Sequence, residues 1–153
     1  MIFDFSHYNT KHWYPGHMLK ASRQIKDKLK LVDVAIILLD ARAPRSSINE
    51  TLNEVLGEKA RLFIFNKTDM GDDKETKAWR EEFQKDGHRV VCTNILKKKN
   101  IDKIVPAVQK AVEADRKKKG TTRPLLRPIR MMIIGVPNVG KSSLINAMSS
   151  KKS

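Results

Sequence analysis

The chain has 153 residues, 31 of them lysine or arginine against 17 aspartate or glutamate, and 40% of it is apolar. That composition is globular, and a chain of this length can bury about 70% of its unfolded surface without disulfides or structural metal, so collagen-like, coiled-coil and knottin readings are excluded. A formal net charge of +14 predicts attraction to polyanions, nucleic acid first, because counterion release from phosphate backbones drives binding whatever the sequence.

Met1 to Ser6 lack the basic start and apolar core of a secretory signal and the arginine-rich character of a transit peptide, and residues 1–12 read as an N-terminal extension. Pro15-Gly16 form a turn, after which Met18, Ser22, Ile25 and Leu29 fall on one helix face. A first strand is predicted over Val32 to Leu39, ending in the polar turn Asp40-Ala41-Arg42 before Pro44; its six-residue apolar block is far short of a membrane span. A second strand, Arg61 to Phe65, ends in Asn66-Lys67-Thr68-Asp69, and Trp79 and Phe83 then share a helix face. A third strand covers Arg89 to Thr93, where the lone cysteine, Cys92, reads as packed core and favours a reducing compartment. Ile101, Ile104, Val105, Val108, Ala111 and Val112 place one apolar stripe on a helix running to about Arg116. Residues 117–128, basic and broken by Gly120 and Pro124, read as an exposed linker, and a last strand, Met131 to Ile134, with its following helix completes a segment over 129–150. Alternating strands and helices imply an α/β fold with a mostly parallel sheet between helical layers, whose ligands sit at the carboxyl ends of the strands.

Two motifs occupy such ends. Gly135-Val136-Pro137-Asn138-Val139-Gly140-Lys141-Ser142 lies between a strand and a helix and is a P-loop. Its glycines let the backbone wrap a phosphate, the helix N-terminus adds positive potential, Lys141 reaches the β- and γ-phosphates, and Ser142 ligates Mg²⁺. Ser143 follows in the same turn. Upstream, Asn66-Lys67-Thr68-Asp69 has the form Asn-Lys-x-Asp. The Asp69 carboxylate can accept from the N1–H and exocyclic amine of guanine, whereas adenine presents an acceptor at N1 and leaves the charge unpaired. Asn66 would brace the loop and contact the base edge, and the Lys67 stem would cover the ring. Together the motifs indicate a GTP- and GDP-binding protein, in an order that reverses the usual one, hence a circular permutation.

In these features the chain resembles the circularly permuted ribosome-assembly GTPases of the YlqF/RbgA type, on Trp13-Tyr14-Pro15-Gly16-His17-Met18, Asp40-Ala41-Arg42-Ala43-Pro44, the Asn66 to Asp69 motif and the P-loop. The resemblance implies a permuted GTP-binding domain over residues 13–153, incomplete here, with further base contacts from Thr93 and Asn94 and a water-positioning role for His17. It also implies nucleotide-switched binding to the large ribosomal subunit precursor and its RNA, in bacterial cytoplasm or, alternatively, a mitochondrion. Lys97-Lys98-Lys99, Lys117-Lys118-Lys119 and Lys151-Lys152 are candidate RNA contacts. Such relatives continue with a switch threonine, an Asp-x-Pro-Gly turn and a helical RNA-binding domain, none of which occurs in these 153 residues, so this chain is expected to hydrolyse GTP poorly. The alternatives are a non-catalytic ribosome- or RNA-binding module and an ATP-using P-loop protein.

Overall fold

Strand residues in this chain are apolar at consecutive rather than alternate positions, the pattern of strands covered on both faces. The computed structural model describes residues 2–4, 23–40, 54–66, 73–95, 97–135 and 141–150, and places them accordingly. Strands β1 (Ile2–Asp4), β2 (Val34–Asp40), β3 (Arg61–Asn66), β4 (Val90–Thr93) and β5 (Met131–Gly135) form one sheet in the order β1-β5-β2-β3-β4, every pairing parallel. A helix over residues 23–29, α1, precedes β2, and α2 (Asp73–Lys85) connects β3 to β4. A 3-10 turn at Ile101–Lys103 leads into α3 (Ile104–Lys118), and α4 (Lys141–Ser150) follows β5.

Because successive side chains point to opposite sheet faces, the apolar runs feed two cores. On one face Ile37, Leu39, Phe63 and Phe65 meet Ile25 and Leu29 of α1 and Phe83 of α2. The Phe83 ring stands edge-on to Phe63 and Phe65, at centroid separations of 5.2 and 4.9 Å. On the other face Ile36, Leu38, Leu62 and Ile64 meet Ile104, Val108 and Val112 of α3 and Leu144 and Met148 of α4. Pro106 lies in the first turn of α3, where its missing N–H removes no helical hydrogen bond. The helix ends in a Schellman pair, Thr121 N–H to Arg116 O and Gly120 N–H to Lys117 O, with Gly120 at φ 82.

The expected elements stand with local differences. β2 begins at Val34, two residues late, because Leu31 and Val32 donate back to Lys28 and Leu29 at the exit of α1. α3 runs two residues past Arg116, and Val105 is 45% exposed, lying one residue round the helix from the stripe built on Ile104, Val108 and Val112. β1, within the stretch read as an extension, pairs with β5 over Ile2↔Met131 to Asp4↔Ile133. The linker is pinned: Asp33 accepts two hydrogen bonds of 2.8 Å from the Arg127 guanidinium and one of 2.8 Å from the Arg130 N–H, while Asp33 N–H donates to Arg130 O. Among the described residues no helix is long and apolar enough to cross a membrane.

Candidate nucleotide-binding site

Five parallel strands put all their carboxyl ends on one edge of the sheet. Three of these ends are level, since Asp40, Asn66 and Thr93 pair in a single register row. β5 ends lower. Gly135 pairs with Leu38, two residues and about 7 Å below that row. The helix α4 that follows opens at Lys141, with Ser142 and Ser143 in its first turn, and is anchored behind by Leu144, which is fully buried. A strand, a short connection and a helix N-terminus at a sheet's carboxyl edge are the backbone parts of a phosphate site.

At the far end of the row a polar pair is buried. Asn66 is 4% exposed, and its Oδ1 accepts a 3.1 Å hydrogen bond from the Ile95 N–H, tying the tip of β3 to the segment after β4. That segment is a tight turn. Asn94 and Lys99 exchange backbone hydrogen bonds of 3.2 and 2.9 Å, the Lys97 N–H donates to Asn94 Oδ1, and Asn100 Nδ2 donates to Cys92 O at 2.9 Å. Lys98 and Asn100 take left-handed conformations, at φ 55 and 62, a region that costs asparagine less than most residues and is fixed here by the closing bonds. Beside Asn66 in the row, Thr93 is 3% exposed and its Oγ1 has no hydrogen-bond partner among the described residues. An unsatisfied buried hydroxyl costs about 1–3 kcal/mol, a penalty that a polar ligand group reaching it would remove.

Cys92, half-buried beside this turn, fits the packing reading: burial pushes its thiol up, with the Arg80 guanidinium opposing, which disfavours the thiolate. Of the expected site residues, the structure brings together Asn66, Thr93 and Asn94 and places Lys141, Ser142 and Ser143 at the start of α4. His17, Lys67, Asp69, Pro137, Asn138, Val139 and Gly140 lie outside the described residues, as does Ala41-Arg42. The Ile95 N–H as a fixed partner of Asn66 was not expected. Its one sequence trace is Asn100, a left-handed-tolerant residue directly before the Ile101 stripe.

The fold is of the α/β class with helices on both faces of a parallel sheet, in which ligands sit at the carboxyl ends of the strands. Residues 130–153 match the family described as 50S ribosome-binding GTPase. The chain is 44% identical over 141 residues to ribosome biogenesis GTPase A of Bacillus cereus, covering 91% of this chain and 47% of that protein. It is 38% identical over 149 residues to mitochondrial ribosome-associated GTPase 1 of Xenopus tropicalis, covering 95% and 46%. A solved GDP-bound structure of TM YlqF matches with a TM-score of 0.56 at 32% identity, over 84% of this chain and 48% of that one. The chain thus spans about half the length of the curated relatives it matches. Its homologues are ribosome biogenesis GTPases, so the resemblance read from four short motifs extends across sequence and fold.

Proposed function

We propose that this chain is the guanine-reading and phosphate-binding portion of a GTPase that acts in ribosome biogenesis, binding GTP and GDP at the carboxyl edge of its sheet. The observation that carries the reading is the level row of strand tips. Asn66, buried and bonded to the segment after β4, lies beside the unsatisfied Thr93 hydroxyl, on the same edge from which β5 leads into α4. In this reading Asp69 accepts from the guanine N1–H and amine, Lys67 covers the ring, and Thr93 and Asn94 contact the base edge. The connection from Pro137 to Gly140 wraps the β-phosphate, Lys141 neutralises the terminal phosphates, and Ser143 supports the first turn of the helix. Mg²⁺ would be held through the Ser142 hydroxyl and the phosphates themselves. His17 would orient the attacking water.

The names of the relatives support a ribosomal particle as partner; the proposal goes further to the large-subunit precursor and its RNA, in bacterial cytoplasm or mitochondrion. Hydrolysis by these 153 residues alone is expected to be slow, because phosphoryl transfer depends on a full set of groups positioned around the γ-phosphate, and beside Lys141 and Ser142 these residues offer neither a switch threonine nor an Asp-x-Pro-Gly turn. The test is competition of GDP against ADP for a fluorescent guanine nucleotide on this chain, repeated with Asp69→Asn. GDP should win by at least an order of magnitude and lose that advantage in the variant, since an amide both donates and accepts. Equal competition by ADP overturns the guanine reading and favours an ATP-using protein.

A further inference from the structure

The amino ends of the strands, on the edge opposite the candidate nucleotide site, carry most of the charge. Four connections meet there: residues 30–33 before β2, 57–61 before β3, 85–89 before β4 and 117–130 before β5. They hold eleven lysines and arginines against three carboxylates, an excess of eight out of the chain's formal +14. Parallel topology contributes, because α2 and α3, returning from the carboxyl edge, deliver their basic last turns, Lys85 and Arg116 to Lys118, to this edge.

Between the starts of β3 and β4 and the end of α3 lies an open cavity of about 290 Å³, with Lys59, Arg61, His88, Arg89 and Lys118 in its lining against Glu58 and Asp115. Its cations crowd one another. Burial and the charge of Lys119 push the Lys59 ammonium down against Asp115 and Asp33; burial pushes Arg61 down against Glu58; burial and Arg61 push the His88 imidazolium down against Asp86. Asp115 is itself drawn to Lys119 at 3.0 Å. The backbone holds two of the cations in place, with Lys59 Nζ donating to Val32 O at 2.9 Å and the Arg61 guanidinium donating to Gly57 O and Lys59 O. Fixed positive charges facing a cavity with too few carboxylates favour an anion within it.

We infer that this amino-edge cavity is a phosphate-binding groove that seats an RNA backbone. The inference rests on the ribosome-directed reading above and adds the surface on which RNA would lie. RNA is favoured over an acidic protein because the excess runs across the starts of four adjacent strands, a strip about 15 Å wide, and is rich in lysine, which protein–protein interfaces deplete. The six residues of β3 separate the groove from the guanine-reading edge by about 20 Å, so RNA and nucleotide occupy opposite ends of the same strands.

The test is fluorescence anisotropy of a labelled RNA hairpin against the full chain across a salt series. Arg89→Glu with Lys118→Glu, both exposed positions, is compared with Lys26→Glu and Lys77→Glu, exposed on the helices α1 and α2. The amino-edge pair should weaken binding on the order of tenfold and lower the salt slope by about 2, and the control pair should change both much less. Guanine-nucleotide competition on each variant checks the fold and should be unchanged. Equal losses from both pairs, or none from the amino-edge pair, overturn the groove and leave the nucleotide reading intact. Displacement of the hairpin by polyglutamate at matched charge overturns it in favour of an acidic protein. Absence of RNA binding by the unaltered chain overturns the groove together with the RNA-directed part of the reading above, while GDP selectivity still judges the rest.

Discussion

Thr93 and Asn66 lie side by side in one register row, yet their polar groups fare differently. The Asn66 amide oxygen is bonded to the Ile95 N–H, and the Thr93 hydroxyl is buried with no partner among the described residues. A buried hydroxyl without a partner costs the free protein stability, and on the proposed reading a bound nucleotide would supply the partner. Thr93→Val is therefore expected to leave the thermal midpoint of the free chain unchanged or slightly raised, since an isosteric apolar group removes an unsatisfied donor. The same substitution should weaken GDP binding several-fold. Melting curves with and without GDP check both halves, and a variant that loses free-state stability while keeping full GDP affinity would assign Thr93 to the scaffold. Asn66 lacks this separation, because removing its side chain would orphan the Ile95 N–H as well.

Among elements, the pinned linker shows how one carboxylate can fix the approach to a strand. Burial pushes the Asp33 carboxyl up, but the hydrogen bonds from Arg127 and Arg130 and the charges of Arg127 and Lys59 outweigh it and hold the group below its ordinary value of 3.8. A depressed native pKa stabilises the fold fully above the unfolded value and ceases to do so as pH falls through the native one. Asp33→Ala should cost about 1 kcal/mol near neutrality, allowing for the exposure of the pair, and this difference should close below pH 3.8. Urea titrations of both proteins at several pH values read it directly. None of this was legible in advance, because Asp33 and Arg127 are 94 positions apart and nothing local marks either residue. What was legible had local causes. The strand cores at Ile36, Ile64 and Ile133 announced themselves as apolar runs bounded by polar turns, and Asn66 and Lys141 stood in motifs whose spacing reflects their chemistry. β1 escaped because three residues carry no period, and its pairing exists only through a partner more than a hundred residues away. Val105 misled because an apolar residue beside a stripe scores like one within it.

For the whole molecule, the strand order separates two kinds of information. Helices that return in one direction collect positive charge at the amino edge, while the polar tips at the carboxyl edge hold the candidate base-reading row, so the sheet has a charged end and a recognising end. The same order bears on how the molecule comes into being. β2, β3 and β4 are consecutive in sequence and adjacent in space, whereas β5, nearly a hundred residues after β2, inserts beside it and alone connects β1 to the rest. Non-local pairings form late because chain closure must precede the contacts that reward it. Pulse-labelled hydrogen exchange during refolding should accordingly protect Phe63 and Ile64 before Ile133 and Ile134; simultaneous protection would indicate that the sheet assembles in one step. On a translating ribosome, β2 to β4 can pair while β5 is still unmade, leaving the inner edge of β2 open. The candidate phosphate end of the site is thus synthesised after the candidate base-reading row, so on the proposed reading an emerging chain would present its base-contacting residues well before its phosphate-contacting ones.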